Sequence, residues 1–304
     1  MFMREEKLKV KSYNLKAFLL LTFNLLIFNS FCFAQNAVQT PFDKYGPYGA
    51  TVYTDLKEAL KETKPVYKLN LSYHPVDIKV WPKLSKLKDL LALQLQTVQV
   101  NQWPDDFSNI SGLTFLASYN NEFTHFPKDF GKLGNLMYLE FNNSKIDSIP
   151  QEIAYLNRLK TLKFSGKNDT LRLPKTLKYL KSLNEVEFES VVLDSMPKPL
   201  FAIAPLKSLI LINCNIYALP EKLDKLPNLE VLALDFNKLS TLPREIYKCK
   251  NLYLLSLRKN NLTKIPDTIC QLKNLTKLDL RDNPLSKDAV EELRILLPGC
   301  QIYF

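Results

Sequence analysis

The chain has 304 residues, 46% of them hydrophobic, with 41 Lys and Arg against 31 Asp and Glu, a formal charge of +10. Length alone admits one large domain or two ordinary ones. Seven glycines leave no loop to cradle a phosphate, and the two histidines, His74 and His125, have no Cys or carboxylate neighbours at metal-ligand spacing.

Part of the positive charge sits at the start. Arg4, Lys7, Lys9, Lys11 and Lys16 oppose only Glu5 and Glu6, and an apolar run follows from Ala17 to Phe33. The run ends in Cys32-Phe33-Ala34 before Gln35. A basic head, an apolar middle and a small-x-small end predict a signal peptide over residues 1–34, cleaved after Ala34. Asn24, Asn29 and Ser30 interrupt the run, which weakens the alternative of a permanent membrane span. Phe31 is too bulky before Cys32 for a lipoprotein start. Removing five basic and two acidic residues leaves 36 against 29, a net of +7. The expected destination is the periplasm or the extracellular space.

Residues 35–65 form the lead-in. Gln35 to Thr51 are rich in Gly, Pro and Tyr and show no period. Thr54 to Glu62 reads as a short amphipathic helix, with Thr54 as cap, Asp55 and Glu58 near its positive end, and Pro65 beyond it. Such a helix would cover the open apolar end of a stacked array.

From Val66 the sequence repeats. The stretch Leu229 to Leu252 reads LEVLALDFNKLSTLPREIYKCKNL, with Leu229, Leu232, Leu234, Leu239, Leu242, Ile246 and Cys249 apolar and Asn237 and Pro243 between them. Shifting the frame by 23 residues fills the same places with Leu252, Leu255, Leu257, Asn260, Leu262, Ile265, Pro266, Ile269 and Leu272. Units begin at Val66, Leu90, Leu113, Leu136, Leu159, Leu183, Leu206, Leu229, Leu252 and Leu275, every spacing being 23 or 24. A fixed period in this range marks a stacked repeat array over residues 66–285.

The pattern predicts the geometry of each unit. In LxxLxL the second and third Leu alternate, so both point to one face of a short strand. Strands of successive units can stack only in parallel, about 4.8 Å apart. Pro82, Pro104, Pro127, Pro150, Pro174, Pro197, Pro220, Pro243 and Pro266 open the return segment, where Pro suits the first position of a helical turn. Apolar residues three and six places later, such as Ile153 and Leu156, share one face of that turn. A return wider than a strand spacing curves the stack, with the strands inside. Ser286 to Leu296 reads as a closing helix capped by Ser286, and Leu297, Cys300 and Ile302 repeat the LxxLxL spacing, predicting a last strand with Cys300 buried. Residues 286–304 thus cap the array.

The repeat LxxLxLxxNxLxxLPxxIxxLxx resembles the leucine-rich repeat family in its 23-residue form, over Val66 to Phe304. The resemblance implies an α/β solenoid (horseshoe) with a parallel sheet on the concave face, short helical or 3-10 turns on the convex face, and protein–protein recognition rather than catalysis. It also implies that Asn in the ninth place bonds neighbouring turns. Asn121, Asn237, Asn260 and Asn283 hold that place, while His74, Val98, Ser144, Lys167, Val191 and Cys214 replace it. Cys214 is a tolerated swap; Val98, Lys167 and Val191 cannot supply an amide's bonds. The fifth unit carries an extra residue before Pro174, so the ladder is expected to be irregular near Lys167 to Leu171. The four cysteines after Ala34 are expected to be free, because Cys214, Cys249 and Cys300 fall at core places and Cys270 beside one.

The surface able to bind is the inner face of the sheet. On alternation, Phe115, Tyr119 and Tyr138 form an aromatic patch there, with Glu140 and Asn142 beside them. Glu185, Glu187 and Glu189 line one strand, open to a basic partner group or simply solvated, with Lys163 the only basic neighbour. Ile210, Ile212, Val231 and Leu254 form an exposed apolar strip, followed by Asp235 and Arg258. Five basic against six acidic residues on this face argue against nucleic acid; the excess Lys belongs outside, as at Lys83, Lys86 and Lys88. The expected function is binding of a protein or peptide on the concave face, with no cofactor, no metal and no catalytic residue. A surface adhesin or glycan binder using the same aromatics, and a structural envelope protein, are the other readings.

Overall fold

The computed structural model describes residues 41–73, 75–193, 198–221 and 223–304. The expected signal peptide, the first residues of the lead-in, His74 and Pro197 lie outside them. Twelve strands form one parallel sheet whose spatial order is their order in the chain. They are β1 (Val52–Tyr53), β2 (Lys68–Ser72), β3 (Ala92–Gln96), β4 (Phe115–Tyr119), β5 (Tyr138–Asn142), β6 (Thr161–Leu171), β7 (Glu185–Leu193), β8 (Ser208–Ile212), β9 (Val231–Ala233), β10 (Leu254–Ser256), β11 (Lys277–Asp279) and β12 (Gln301–Tyr303). The result is a leucine-rich repeat horseshoe.

Register follows the repeat. Leu69, Leu93, Leu116, Leu139 and Leu162 are direct neighbours on β2 to β6 and all are fully buried. A one-residue slip of any strand would carry its whole apolar set to the other face, which is why the leucines hold the register. The buried side chains of successive units join in one continuous apolar core between the sheet and the return segments. Its early part is aromatic, where Phe141 and Phe164 stack with centroids 5.5 Å apart.

The return segments are 3-10 turns, such as Gln151–Tyr155 and Asp267–Gln271. Pro150, Pro174, Pro243 and Pro266 stand one place earlier than the sequence suggests, as the cap rather than the first turn residue. Each has φ between −64° and −75° with an extended ψ, and its carbonyl accepts the N–H three residues on at 3.0–3.3 Å. Proline fits there because its ring sets φ and the place asks for an acceptor, not a donor.

In most units a left-handed corner stands just before the ninth place, at Ser190 within β7 itself. Thr97, Asn120, Asn143, Ser190, Asn213, Phe236, Lys259 and Asp282 have φ of 51–60°. Such backbone is costly for residues like Thr97 and Phe236, and persists because the stack on either side dictates it. Gly166 holds the same place in the fifth unit, yet its φ is not positive and β6 runs straight through it. A Cβ there would stand 3.0 Å from Val191 Cγ1 and 3.1 Å from the Ser190 carbonyl oxygen. The register of β6 on β7 shifts between Ser165 and Asp169, overlapping the stretch Lys167 to Leu171 expected to be irregular but beginning two residues before it.

The ninth-place amides bond as the repeat implies. The Asn237 Oδ1 accepts from the N–H groups of Cys214 (3.0 Å) and Ile216 (3.1 Å), and its Nδ2 donates to the carbonyls of Leu211 (2.7 Å) and Leu234 (2.9 Å). Cys214 donates its thiol to the Phe188 carbonyl at 3.3 Å, the carbonyl an asparagine would reach from that place. A second ladder runs outside. Asn135, Asn228, Asn251 and Asn274, each just before a unit's first Leu, donate to carbonyls 24 residues back at 2.8–3.2 Å.

Both ends are capped. At the C-terminal end α2 (Lys287–Leu296) has Ser286 as cap, its Oγ accepting from the Ala289 N–H at 3.1 Å. At the N-terminal end α1 (Leu56–Ala59) is shorter than expected, and Asp55 rather than Thr54 caps it, accepting from the Glu58 N–H at 3.0 Å. A carboxylate complements the helix dipole better than a hydroxyl. Ahead of α1, β1 adds a strand where the lead-in showed no period. All four described cysteines are free; Cys214 and Cys249 are buried, with burial pushing their thiols up to about 12 and about 11. Cys300, expected in the core, is half-buried beside the edge strand β12, since no further unit covers it among the described residues.

Asn237→Ala removes five hydrogen bonds from its side chain to the backbone. It should lower stability by roughly 3 kcal/mol in urea titration; a midpoint equal to that of the parent chain would show that the ladder contributes nothing.

Candidate binding face

Alternation places three columns of side chains on the inner face, and strand pairing orders them. Phe115 stands against Tyr138, Glu187 against Ile210, Glu189 against Ile212, and Val231 against Leu254. These neighbours fall into three blocks with different chemistry.

The first block is covered by the chain itself. Phe115 is 1% exposed and Tyr138 6%, so the expected open aromatic patch is a correction. The turn Pro41–Lys44 lays Phe42, itself 4% exposed, edge-on to Phe115 at 5.6 Å between centroids. Tyr45 packs on Phe115 at 5.1 Å and reaches Tyr138 at 6.1 Å, while Phe115 and Tyr138 stack at 4.7 Å. Ala92 and Ala117 leave the room that these rings fill, making a second apolar cluster apart from the core. Lys68, one of the five basic residues that alternation puts on this face, is also buried; its Nζ donates to the Asp43 carbonyl at 3.0 Å. Gly46, at φ +90°, lets the segment pass over it, since a Cβ there would stand 3.1 Å from Lys68 Cε. Phe42 and Tyr45 were missed because an aperiodic stretch carries no pattern. The signal available was Ala92 and Ala117, two small residues flanking Phe115 on the same face.

Glu140 closes this block. Its Oε2 accepts from the hydroxyls of Tyr138 (2.6 Å) and half-buried Tyr119 (2.8 Å). Burial first, and then the adjacent carboxylate, push both phenols far above their usual range. They serve as permanent donors. Asn142 is half-buried beside Tyr119.

The second block is charged. Lys163 lies 2.8 Å from Glu185 Oε1 and 2.7 Å from Glu187 Oε2. Burial pulls its ammonium pKa down, but the two carboxylates outweigh that and hold it above the usual lysine value. Glu189 shares neither bond; burial and then Glu187 raise its carboxyl.

The third block is apolar. Ile210, Ile212, Val231 and Leu254 are half-buried and alternate with fully buried Leu209, Leu211, Leu232 and Leu255. At its far side Asp235, expected to face solvent, is only 7% exposed. Its Oδ1 accepts from the Ser256 hydroxyl (2.6 Å) and the Arg258 N–H (2.7 Å). Burial pushes this carboxyl up to about 6, against those two hydrogen bonds. Arg258 is half-buried and donates from Nε to Asp282 at 3.0 Å. No group of three His, Cys, Asp or Glu fit to hold a metal ion occurs among the described residues.

Two family models match this chain, the one described as leucine-rich repeat region over residues 70–203 and the one described as leucine rich repeat over 227–285. The chain belongs to the leucine-rich repeat family. No curated protein matches it. Among solved structures it is similar to an internalin (inlF) of Listeria monocytogenes, at 21% identity and a TM-score of 0.59, over 79% of this chain and 74% of that one. It is similar to a TDR receptor at 26% identity and a TM-score of 0.61, over 79% of this chain and 42% of the receptor. It also resembles the leucine-rich repeat ectodomain of the Arabidopsis thaliana receptor kinase GASSHO1/SCHENGEN3, solved in complex with CASPARIAN STRIP INTEGRITY FACTOR 2, at 23% identity and a TM-score of 0.54, over 72% of this chain and 26% of that one. Leucine-rich repeat folds typically serve as protein–protein interaction modules rather than enzymes.

Two outcomes test this face. Across about pH 4 to 6 folded Asp235 keeps a proton that the unfolded chain releases, so its contribution to stability falls as pH rises through that window and is flat above it. Asp235→Asn, which keeps the acceptor oxygen, should match the parent near pH 4 and exceed it by roughly 3 kcal/mol at pH 7 in urea titration. An equal gain at both pH values would show that the carboxyl is not held up. Phe42→Ala should speed amide exchange over residues 42–50 roughly a hundredfold while the repeats keep their protection. Unchanged exchange there would mean that the ring does not anchor the lead-in.

Proposed function

We propose that this protein is an exported, non-enzymatic binding module that takes a protein or peptide on the later half of its concave face. One observation carries the reading: Ile210 and Ile212 on β8 lie diagonal to the paired Val231 and Leu254 on β9 and β10, an aliphatic cluster on the inner face beyond the described part of the lead-in. Contiguous exposed apolar surface marks interaction sites more often than scattered apolar residues do. The earlier half of the face already has an occupant in Phe42 and Tyr45. Export is supported by the basic head and apolar run of residues 1–34. No helix among the described residues is long and apolar enough to cross a membrane.

The glycan reading loses its support with the burial of Phe115 and Tyr138, the rings on which a sugar would have stacked. Tyr138→Asp would wreck the second apolar cluster rather than probe a ligand. The informative change is Ile210→Asp. In a pull-down from the exported fraction it should weaken capture of the partner at least about thirtyfold, as for a central interface residue, with an unchanged circular dichroism spectrum. Lys83→Glu with Lys86→Glu, on the outer side, should leave capture intact. Equal capture by Ile210→Asp and the parent would remove the concave face from the reading, and loss only in the Lys pair would favour a structural envelope role.

A further inference from the structure

The charges beside the apolar strip say what kind of segment it fits. Ile210 and Ile212 stand in register with Glu187 and Glu189 on the neighbouring strand β7. Glu187 and Glu185 share a single cation, Lys163, which bridges them. Glu189 makes no hydrogen bond or ion pair among the described residues, although it is half-buried between Ser165 on β6 and Ile212 on β8. Further along, Asp235 is held by Ser256 and the Arg258 N–H, Arg258 by Asp282 and Arg281 by Asp279, while Lys277 stands in register with Leu254 at the opposite edge of the strip. The later half of the concave face therefore presents an aliphatic floor edged by a carboxylate pair that shares one cation and by Glu189, which has none.

A partner that covered this floor without supplying a cation would bury Glu189 further and leave its charge uncompensated, a heavy desolvation cost. A cation placed there recovers that cost and adds Coulomb attraction in a partly dried site. An extended segment advances about 3.3 Å per residue, and neighbouring strands lie about 4.8 Å apart. A side chain seated on Ile212 thus brings one a residue or two away over Glu189. We propose that the strip Ile210, Ile212, Val231 and Leu254 receives an extended protein segment in which a Lys or Arg side chain flanks aliphatic residues, the cation pairing with Glu189. This rests on the reading that the concave face binds a protein or peptide, and it goes further in stating the chemistry of the bound segment. Acidic segments are rejected at the same edge by repulsion from Glu189.

A display library of random linear peptides panned on the full chain tests it. Enriched peptides should carry Lys or Arg within two residues of Ile, Leu or Val. A synthetic consensus peptide should bind the isosteric Glu189→Gln variant about tenfold more weakly than the parent, and added salt should weaken only the parent's binding. Ile210→Asp should abolish binding of the same peptide, with circular dichroism confirming the fold of both variants. Enriched peptides that lack a cation, and that Glu189→Gln still binds but Ile210→Asp does not, would overturn the charge pairing and leave the concave-face reading standing. Binding indifferent to both variants, or a library that yields no binder, would overturn both. Sedimentation as a dimer that Ile210→Asp dissociates would assign the strip to a second copy of the chain and likewise overturn the proposal.

Discussion

Parallel pairing between identical units is the constraint on which the rest of the structure depends. Each inner strand hydrogen-bonds the unit before and the unit after it, so every unit must return to within about 4.8 Å of where it began. The other features of the repeat serve that return. The leucines of LxxLxL hold the register, the left-handed corner turns the chain out of the sheet, and the proline carbonyl starts the outer turn. The ninth-place amide then ties up carbonyl and N–H groups that the corner leaves unpaired inside the core. A solenoid is the fold in which one local solution, repeated, is also the global one.

Where a unit lacks part of that solution, the chain finds another. The fifth and sixth units have Lys167 and Val191 in place of the ladder amide, and there the two strands lengthen to 11 and 9 residues. There the two strands pair beyond the corner, Asp169 with Val191, Thr170 with Val192 and Leu171 with Leu193. The cost is a register shift between Ser165 and Asp169, which absorbs the additional residue of the fifth unit. Gly166, free of a Cβ, allows Val191 and the Ser190 carbonyl to approach where the corner would have been.

The repeat and the direction of every strand were legible in the sequence because each is written many times in a fixed period, and the closing helix because a Ser cap precedes it. The features that were not legible occur once. The Asp55 cap and strand β1 lie before the period begins, and Phe42 and Tyr45 lie in a stretch with no period at all. Alternation correctly put Phe115 and Tyr138 on the inner face but could not show that another part of the chain lies over them. Exposure is a tertiary property, whereas the face a strand residue points to is a local one. Asp235 shows the same limit: its column is right, yet Ser256 and the Arg258 N–H draw it in. The outer asparagine ladder was visible as a recurrent Asn before Leu and went unread, because exposed polar residues attract no attention when the core is the signal.

The aliphatic strip asks for a reason beyond strand preference. Ile and Val favour strands of any kind, so Ile210, Ile212 and Val231 alone could reflect propensity. Had propensity governed the inner face, the earlier strands would carry similar residues there. Instead β2 and β3 present Asn70, Ser72, Gln94 and Gln96 at the corresponding places. Between the two edge strands, large apolar side chains on this face gather in two blocks, and one of them is sealed by Phe42 and Tyr45. Apolar side chains on the inner face of this molecule are thus matched, at the one place where an occupant is visible, by apolar side chains laid over them. A second block of the same character, edged by a carboxylate that no cation answers, is most economically explained by an occupant that arrives from outside the chain.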